Sequence, residues 1–191
     1  MFKNIKQKLL IAASIFLVSL AGYAWYETWQ GNFHAVTRNE AYRSAQLDKN
    51  ELKYYIRRYH IKSIINLRAK RVNENWYKTE IEASKTYNVT HYDIPLSAEH
   101  EPDVQEINQL IHIFRTAKRP VLMHCKAGAD RSGLAAAIWK VIVDKEPKSK
   151  AEDELSIIYG HIPIGPTYAM NKFFDKWQPA QASHLSQTVV R

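Results

Sequence analysis

Short apolar runs alternate with stretches of one-face helical spacing from residue 27 onward, and this alternation sets the expected architecture. Residues 33–36 and 41–44, separated by Thr37-Arg38-Asn39-Glu40, predict a short hairpin. Asp48 and Glu51 have the spacing of a capping box and open a helix with Leu52, Tyr55, Ile56 and Tyr59 on one face. The run 63–67 predicts a buried strand, 73–87 a weaker helix ending at Asn88, and 89–96 a return to strand. Ile107, Leu110, Ile111 and Phe114 mark one face of a helix that starts near Asp103 and ends before Pro120. A strand over 121–124 follows, then a helix over 133–143 that is apolar all round and therefore buried. Two more helices are expected over 151–159 and 167–177, and the polar, aperiodic residues 179–191 form a tail. Strands alternating with helices predict an α/β fold with a central, mostly parallel sheet flanked by helices.

The amino-terminal pattern differs. Residues 9–25 are almost uninterruptedly apolar, with no charge between Lys8 and Glu27. That predicts one transmembrane helix ahead of the domain. Lys3, Lys6 and Lys8 before the run and Tyr23, Trp25, Tyr26 and Trp29 after it fit the positive-inside rule and an interfacial aromatic belt. The expected organisation is a basic cytoplasmic segment (1–8), a signal anchor (9–26), a catalytic domain (27–178) on the extracytoplasmic side, and a flexible tail (179–191). In a bacterium that side is the periplasmic face of the inner membrane. The length of the run and its bulky flank favour a retained anchor over a cleaved signal peptide.

Composition narrows the chemistry. The 191 residues suffice for one ordinary domain with an appendage. A formal charge of +8 suits anionic partners such as phosphate esters, nucleic acid or acidic lipid. The single cysteine, Cys125, excludes an intramolecular disulfide and a multi-thiolate zinc site.

Its neighbours give that cysteine a role. An apolar strand runs into His124-Cys125-Lys126-Ala127-Gly128-Ala129-Asp130-Arg131-Ser132-Gly133 and then into a helix. A loop at a helix start aims backbone N–H groups and the positive end of a dipole at one point, a nest for a dianionic phosphate. Residues 126–131 are thus the candidate substrate cradle, and Gly128 would allow close backbone approach. The same field favours the Cys125 thiolate, a nucleophile toward phosphorus. Arg131 brings a planar fork of donors to the phosphate oxygens, and Ser132 can donate its hydroxyl to the sulfur. His124 points away from its neighbour's side and is expected to fix the loop rather than act as base. His161 is expected on the surface or in packing more than at the site.

This ten-residue stretch resembles the Cys-x5-Arg loop of protein tyrosine and dual-specificity phosphatases, with every fixed position matched. The resemblance extends weakly over 41–145, including Ile64-Ile65-Asn66-Leu67-Arg68, and the length is that of the dual-specificity branch and its atypical bacterial relatives. It implies hydrolysis of phosphotyrosine, with phosphoserine and phosphothreonine as further substrates, through a phosphocysteine intermediate. It implies neither cofactor nor metal. A phosphorylated protein or peptide is the expected partner, a phospholipid the second choice, and no nucleic acid is expected. Lys126-Ala127-Gly128 is similar to the loop of the phosphatase-and-tensin-homologue lipid phosphatases, but Asp130 adds negative charge that disfavours a highly phosphorylated ring. A rhodanese-type sulfurtransferase is disfavoured by Arg131-Ser132-Gly133, and a silent phosphate-binding module by the presence of Cys125, Arg131 and Ser132 together. Nothing in the sequence sets an oligomeric state.

Relatives place a general-acid Asp on a loop before the nucleophile. The equivalent here is 97–103, which offers Glu99 and Glu101, with Asp103 fitted to cap the next helix, Asp93 in the preceding strand, and Asp130 in the cradle by similarity to myotubularins. Glu99 is the expected acid.

Overall fold

A computed structural model describes residues 2–179; the expected tail falls almost wholly outside the described residues. The first element is α1 (Phe2–Trp29). β1 (His34–Thr37) and β2 (Ala41–Ser44) pair antiparallel as the expected hairpin. Then come α2 (Lys49–Arg58), β3 (Ser63–Asn66), α3 (Asn75–Thr86), β4 (Thr90–Asp93), α4 (Val104–Thr116), β5 (Val121–His124) and α5 (Asp130–Ile142). A short α6 (Lys148–Ala151), three 3-10 turns and α7 (Ala169–Lys176) complete the described chain.

The sheet has the order β1-β2-β5-β3-β4, parallel except at β1. Side chains of a strand alternate between faces, and the core divides accordingly. Tyr42, Ile64 and Leu122 pack with Leu52, Ile56 and Ala83 of α2 and α3 on one face. Ala41, Ile65, Val121 and Met123 pack with α4, α5 and α7 on the other, around Phe114, Trp139 and Phe174. Every residue of β3 and β5 is buried, as expected of central strands covered on both faces.

Local signals worked where the chain closes its own hydrogen bonds. Asp48 and Glu51 form the capping box of α2, with both backbone N–H groups of the turn bound to Asp48. Asp103 and Glu106 do the same for α4. Asn88 takes a positive φ just after α3, as a helix-terminating Asn can.

Several expectations are corrected. The run 9–25 is helical within α1, but among the described residues no helix is long and apolar enough to cross a membrane. The transmembrane helix expected over 9–26 is therefore withdrawn. A span takes about 20 consecutive apolar residues; this run is shorter and contains Ser14, Ser19 and Gly22. Attachment to a membrane through this helix, and the orientation argued from Lys3, Lys6 and Lys8, rested on that span. The helix expected over 151–159 is not continuous: α6 ends at Ala151 and gives way to 3-10 turns at Glu152–Glu154 and Ile157–Tyr159, closed by Gly160 at φ 79°. Finally, α5 begins at Asp130 rather than 133, so Arg131 and Ser132 lie in its first turn.

The contact between α4 and α5 gives a stability test. Phe114 is fully buried with its ring 5.1 Å from Trp139, edge to face. Phe114→Ala is expected to cost about 3–5 kcal/mol, read as a lowered urea midpoint without change of slope.

Candidate active site

Parallel pairing places the carboxyl ends of β2, β3 and β5 side by side, with Ser44 and Asn66 both in register with His124. The segments leaving these strands therefore emerge together at one edge. Residues 125–129 turn there from β5 into α5.

The turn is held from outside by its carbonyls. The Lys126 carbonyl accepts from the backbone N–H of Gln46 at 3.2 Å. The Ala127 carbonyl accepts from the Asn32 side-chain amide at 2.9 Å. Those of Gly128 and Ala129 accept from Nη2 of Arg43 at 3.0 and 2.9 Å. With four successive carbonyls engaged from behind, the loop's N–H groups are left for the concave side, where those of Gly128 and Ser132 favour the Cys125 thiolate. Gly128 has φ 73°, and a Cβ there would lie 2.6 Å from the Ala45 nitrogen. Only glycine fits that contact.

Cys125 is buried, its Sγ 3.4 Å from Oγ of Ser132. Burial pushes the thiol up, but the Arg131 charge, the Ser132 hydroxyl and the N–H groups of Ser132 and Gly128 together bring its pKa below the ordinary value. Arg131 makes a long 3.5 Å contact to the Leu96 carbonyl, and its Nε is buried without a hydrogen-bond partner among the described residues. Lys126 is exposed and Ala129 buried.

Arg43 is a buried cation that sequence reasoning did not single out. Its Nη1 donates to Glu154 at the backbone carbonyl (2.7 Å) and at Oε2 (2.9 Å), and the guanidinium lies 4.4 Å from the centre of the Tyr159 ring. Its charge is surrounded by acceptors, which is what a buried guanidinium requires. An arginine inside a strand whose pattern predicts burial was the available signal.

Glu80 is a second such residue. It shares the buried face of α3 with Tyr77 and Ser84. Its Oε1 lies 3.1 Å from Nε2 of His124 and 2.7 Å from Nε2 of His91, and its Oε2 accepts from Gln46 at 2.9 Å. Burial pushes this carboxyl up, yet His124, His91 and Gln46 outweigh it and hold the group well below the usual carboxylate range. His124 thus braces the loop from behind, the part expected of it. The i, i+3, i+7 spacing of Tyr77, Glu80 and Ser84 was the signal for Glu80.

The five candidate acids have separate fates. Asp103 caps α4. Asp93 accepts from Asn66 and Tyr77, both at 2.7 Å. Glu101 pairs with Lys176 at 3.0 Å. Asp130 lies 2.7 Å from Nδ1 of His161. Glu99 is exposed, and among the described residues its carboxylate has no hydrogen-bond or ion-pair partner. Its loop begins directly after Leu96, the residue that Arg131 touches.

His161 is neither on the surface nor remote from the site. It is fully buried, with Nδ1 on Asp130 and Nε2 2.8 Å from Oδ1 of Asn171. Burial pulls its pKa down, but Asp130 and Asn171 overcome that and the net direction is up.

A family model described as DSP-PTPase phosphatase fused to NAD+ kinase matches residues 21–162. Among curated proteins, the dual specificity protein phosphatase TpbA of Pseudomonas aeruginosa is 36% identical over 64 residues, which are 32% of this chain and 29% of TpbA. NAD kinase 2, chloroplastic, of Arabidopsis thaliana is 28% identical over 101 residues, 52% of this chain and 10% of that protein. The chain thus spans less than a third of either curated relative. Among solved structures, P. aeruginosa TpbA in complex with pTyr superposes with a TM-score of 0.66 at 20% identity, over 83% of this chain and 91% of that one. The catalytic domain of the PP-IP phosphatase SIW14 of S. cerevisiae gives 0.65 at 18%, over 83% and 92%. At such identities the likeness is one of fold.

Two stability measurements test these braces. Arg43→Ala leaves the Glu154 carboxylate without its Arg43 partner and takes one donor from each of three carbonyls, and is expected to cost about 3–5 kcal/mol in denaturant unfolding. For His161, whose folded pKa is raised above the unfolded value of about 6.5, the stabilisation is fully present below that pH. It is lost as pH rises through the folded value. The stability difference between wild type and Asp130→Asn should therefore be larger at pH 6 than at pH 9, measured as denaturation midpoints.

Proposed function

The chain belongs to the family "DSP-PTPase phosphatase fused to NAD+ kinase", and from that premise we propose that it hydrolyses phosphomonoesters, phosphotyrosine first among them, through a phosphocysteine on Cys125. The observation that carries this reading is a buried thiol with a lowered pKa, at the mouth of a loop whose carbonyls at 126–129 are engaged from behind. Loop N–H groups and Arg131 hold the equatorial oxygens of the transferring phosphoryl group, whose charge spreads over three of them. The Cys125 thiolate attacks phosphorus, the S–P bond forms, and the P–O bond to the leaving group breaks. Glu99 gives its proton to the leaving oxygen. Water then attacks phosphorus and gives its proton to the Glu99 carboxylate, the S–P bond breaks, and the Ser132 hydroxyl hydrogen-bonds the departing thiolate, which its 3.4 Å separation supports. Inorganic phosphate leaves. The choice of Glu99 is supported by exclusion, since Asp93, Glu101, Asp103 and Asp130 are each engaged elsewhere.

Turnover of a phosphotyrosine peptide and of p-nitrophenyl phosphate tests this reading. Cys125→Ser should lose at least about 1,000-fold in kcat while still binding vanadate or phosphate. Arg131→Lys should lose about 100-fold, because an ammonium cannot supply the bidentate fork. Full activity of the Cys125→Ser protein sinks the phosphocysteine route.

A general acid matters in proportion to how poor the leaving group is. Glu99→Gln should slow the peptide about 100-fold and p-nitrophenyl phosphate far less. If the peptide rate is unmoved by Glu99→Gln and abolished by Asp130→Asn, the acid sits in the cradle.

A further inference from the structure

Arg68 lies beside the cradle, and the proposed chemistry does not use it. It follows β3 at the edge where the chain leaves β5, the backbone N–H of Leu67 donating to the His124 carbonyl at 2.9 Å. Its position is fixed from several sides. Asn66 brackets the turn, accepting from the Arg68 N–H at 2.9 Å and donating to the Ala69 carbonyl at 2.9 Å, and Asn66 is itself bound to Asp93. The guanidinium lies over the Trp76 ring, 3.9 Å from its centre, and Nη1 donates to Oε1 of Gln46 at 3.1 Å. Gln46 in turn holds the Lys126 carbonyl through its backbone and Glu80 through its amide. Two hydrogen bonds therefore link Arg68 to the loop that grips the phosphate.

The Cys125, Glu80 and Glu74 charges favour the protonated Arg68 from a distance, but none is in direct contact with it. Among the described residues its hydrogen-bond acceptor is a neutral amide, and no carboxylate pairs with it. The side chain is only partly exposed, and burial followed by the Arg131 charge makes its protonated form less favourable, while Cys125 opposes this. Arg68 thus feels the charges of both Arg131 and Cys125, and a single phosphate needs only Arg131 and the loop amides. Asp130, whose charge would weaken a second anion nearby, is matched by His161. Lys70 and Arg71, both exposed, extend the positive loop.

We propose that Arg68, stacked on Trp76 and braced by Gln46, forms a second anion subsite beside the cradle and selects phosphomonoesters that carry a second phosphate close to the scissile one. This deepens the phosphatase reading and rests on it. One N–H of the fork is taken by Gln46, and the remaining donors can hold two oxygens of a phosphate in the planar geometry that arginine offers and lysine does not.

The test compares phenyl phosphate with 1,2-phenylene bisphosphate, which differs only by an adjacent phosphate, on the full chain. The wild type should show a kcat/KM at least about tenfold higher for the bisphosphate, corresponding to one charge-assisted contact. Arg68→Ala should bring that ratio to about one, and Arg68→Lys should keep part of it. Calorimetry on the Cys125→Ser protein, with and without Arg68→Ala, should show the same loss of preference in binding alone. Arg68→Gln replaces the alanine variant if the latter does not fold. A wild type without preference, a ratio that survives removal of Arg68, or an equal fall on both substrates overturns the subsite. Absence of phenyl phosphate turnover in the wild type, with the binding preference intact, instead overturns the phosphatase reading and leaves the subsite standing. Peptides bearing one or two neighbouring phosphotyrosines form a second arm. An Arg68-dependent ratio there assigns the second phosphate to a protein substrate, and one confined to the phenylene pair assigns it to a small molecule.

Discussion

A phosphate-binding loop works only if its amides point inward, and a peptide unit cannot turn its N–H inward without sending its carbonyl out. The molecule is organised around receiving those carbonyls. Gln46, Asn32 and Arg43 take the four of residues 126–129, and each donor comes from the chain around the amino-terminal hairpin. Arg43 is central because its other nitrogen is anchored to Glu154, beyond α5. The segments before and after the loop in sequence are therefore fastened to each other through the loop itself. Buried carbonyls without donors would cost more than a loop of this size could recover, so the hairpin, the loop and the turn at 152–154 depend on one guanidinium.

Behind the loop lies a polar network that the apolar cores enclose. Glu80 carries the negative charge that His124, His91 and Gln46 surround. Its place on the buried face of α3 sets the distance between that helix and the end of β5. A network of this kind is stable when its members are satisfied and costly when one is removed. His124 precedes the nucleophile, so the helix that holds Glu80 also fixes where the Cys125 thiol sits. The same network reaches Arg68 through Gln46.

Electrostatic balance at the mouth follows from these placements. Arg131 and the loop dipoles favour anions, and Asp130 opposes them in sequence. In the fold Asp130 is matched by a fully buried His161 whose other nitrogen faces Asn171 of α7. What reads in sequence as a negative charge beside the pocket becomes half of a pair that ties the first turn of α5 to the segment after Gly160. Among the described residues Glu99 is the carboxylate of the 97–103 loop left without a partner, since its neighbours Glu101 and Asp103 are drawn to Lys176 and to the helix cap.

The sequence by itself determined whatever depends on neighbours along the chain. The strands at 41–44 and 121–124, the capping boxes at Asp48 and Asp103, the buried helix after the loop, and the roles open to Cys125, Arg131 and Ser132 all rest on periodicity or on a contiguous motif. Those signals are local because the hydrogen bonds they describe close within a few residues. The break-up of 151–159 was not legible, since Glu154 and Tyr159 are held by Arg43 from β2, and neither was the failure of 9–25 as a span, since helical apolar residues alone do not make one. Arg43, Asn32, Gln46 and Glu80 lie 44 residues or more from the loop they brace, or from the residue beside it. Their partners are backbone carbonyls and imidazoles that carry no mark in the sequence of where the donor will come from. Only the parallel register of β2, β5 and β3 brought them to one edge, because strand pairing joins residues by geometry across the sheet, and burial then required every polar group gathered there to find a partner.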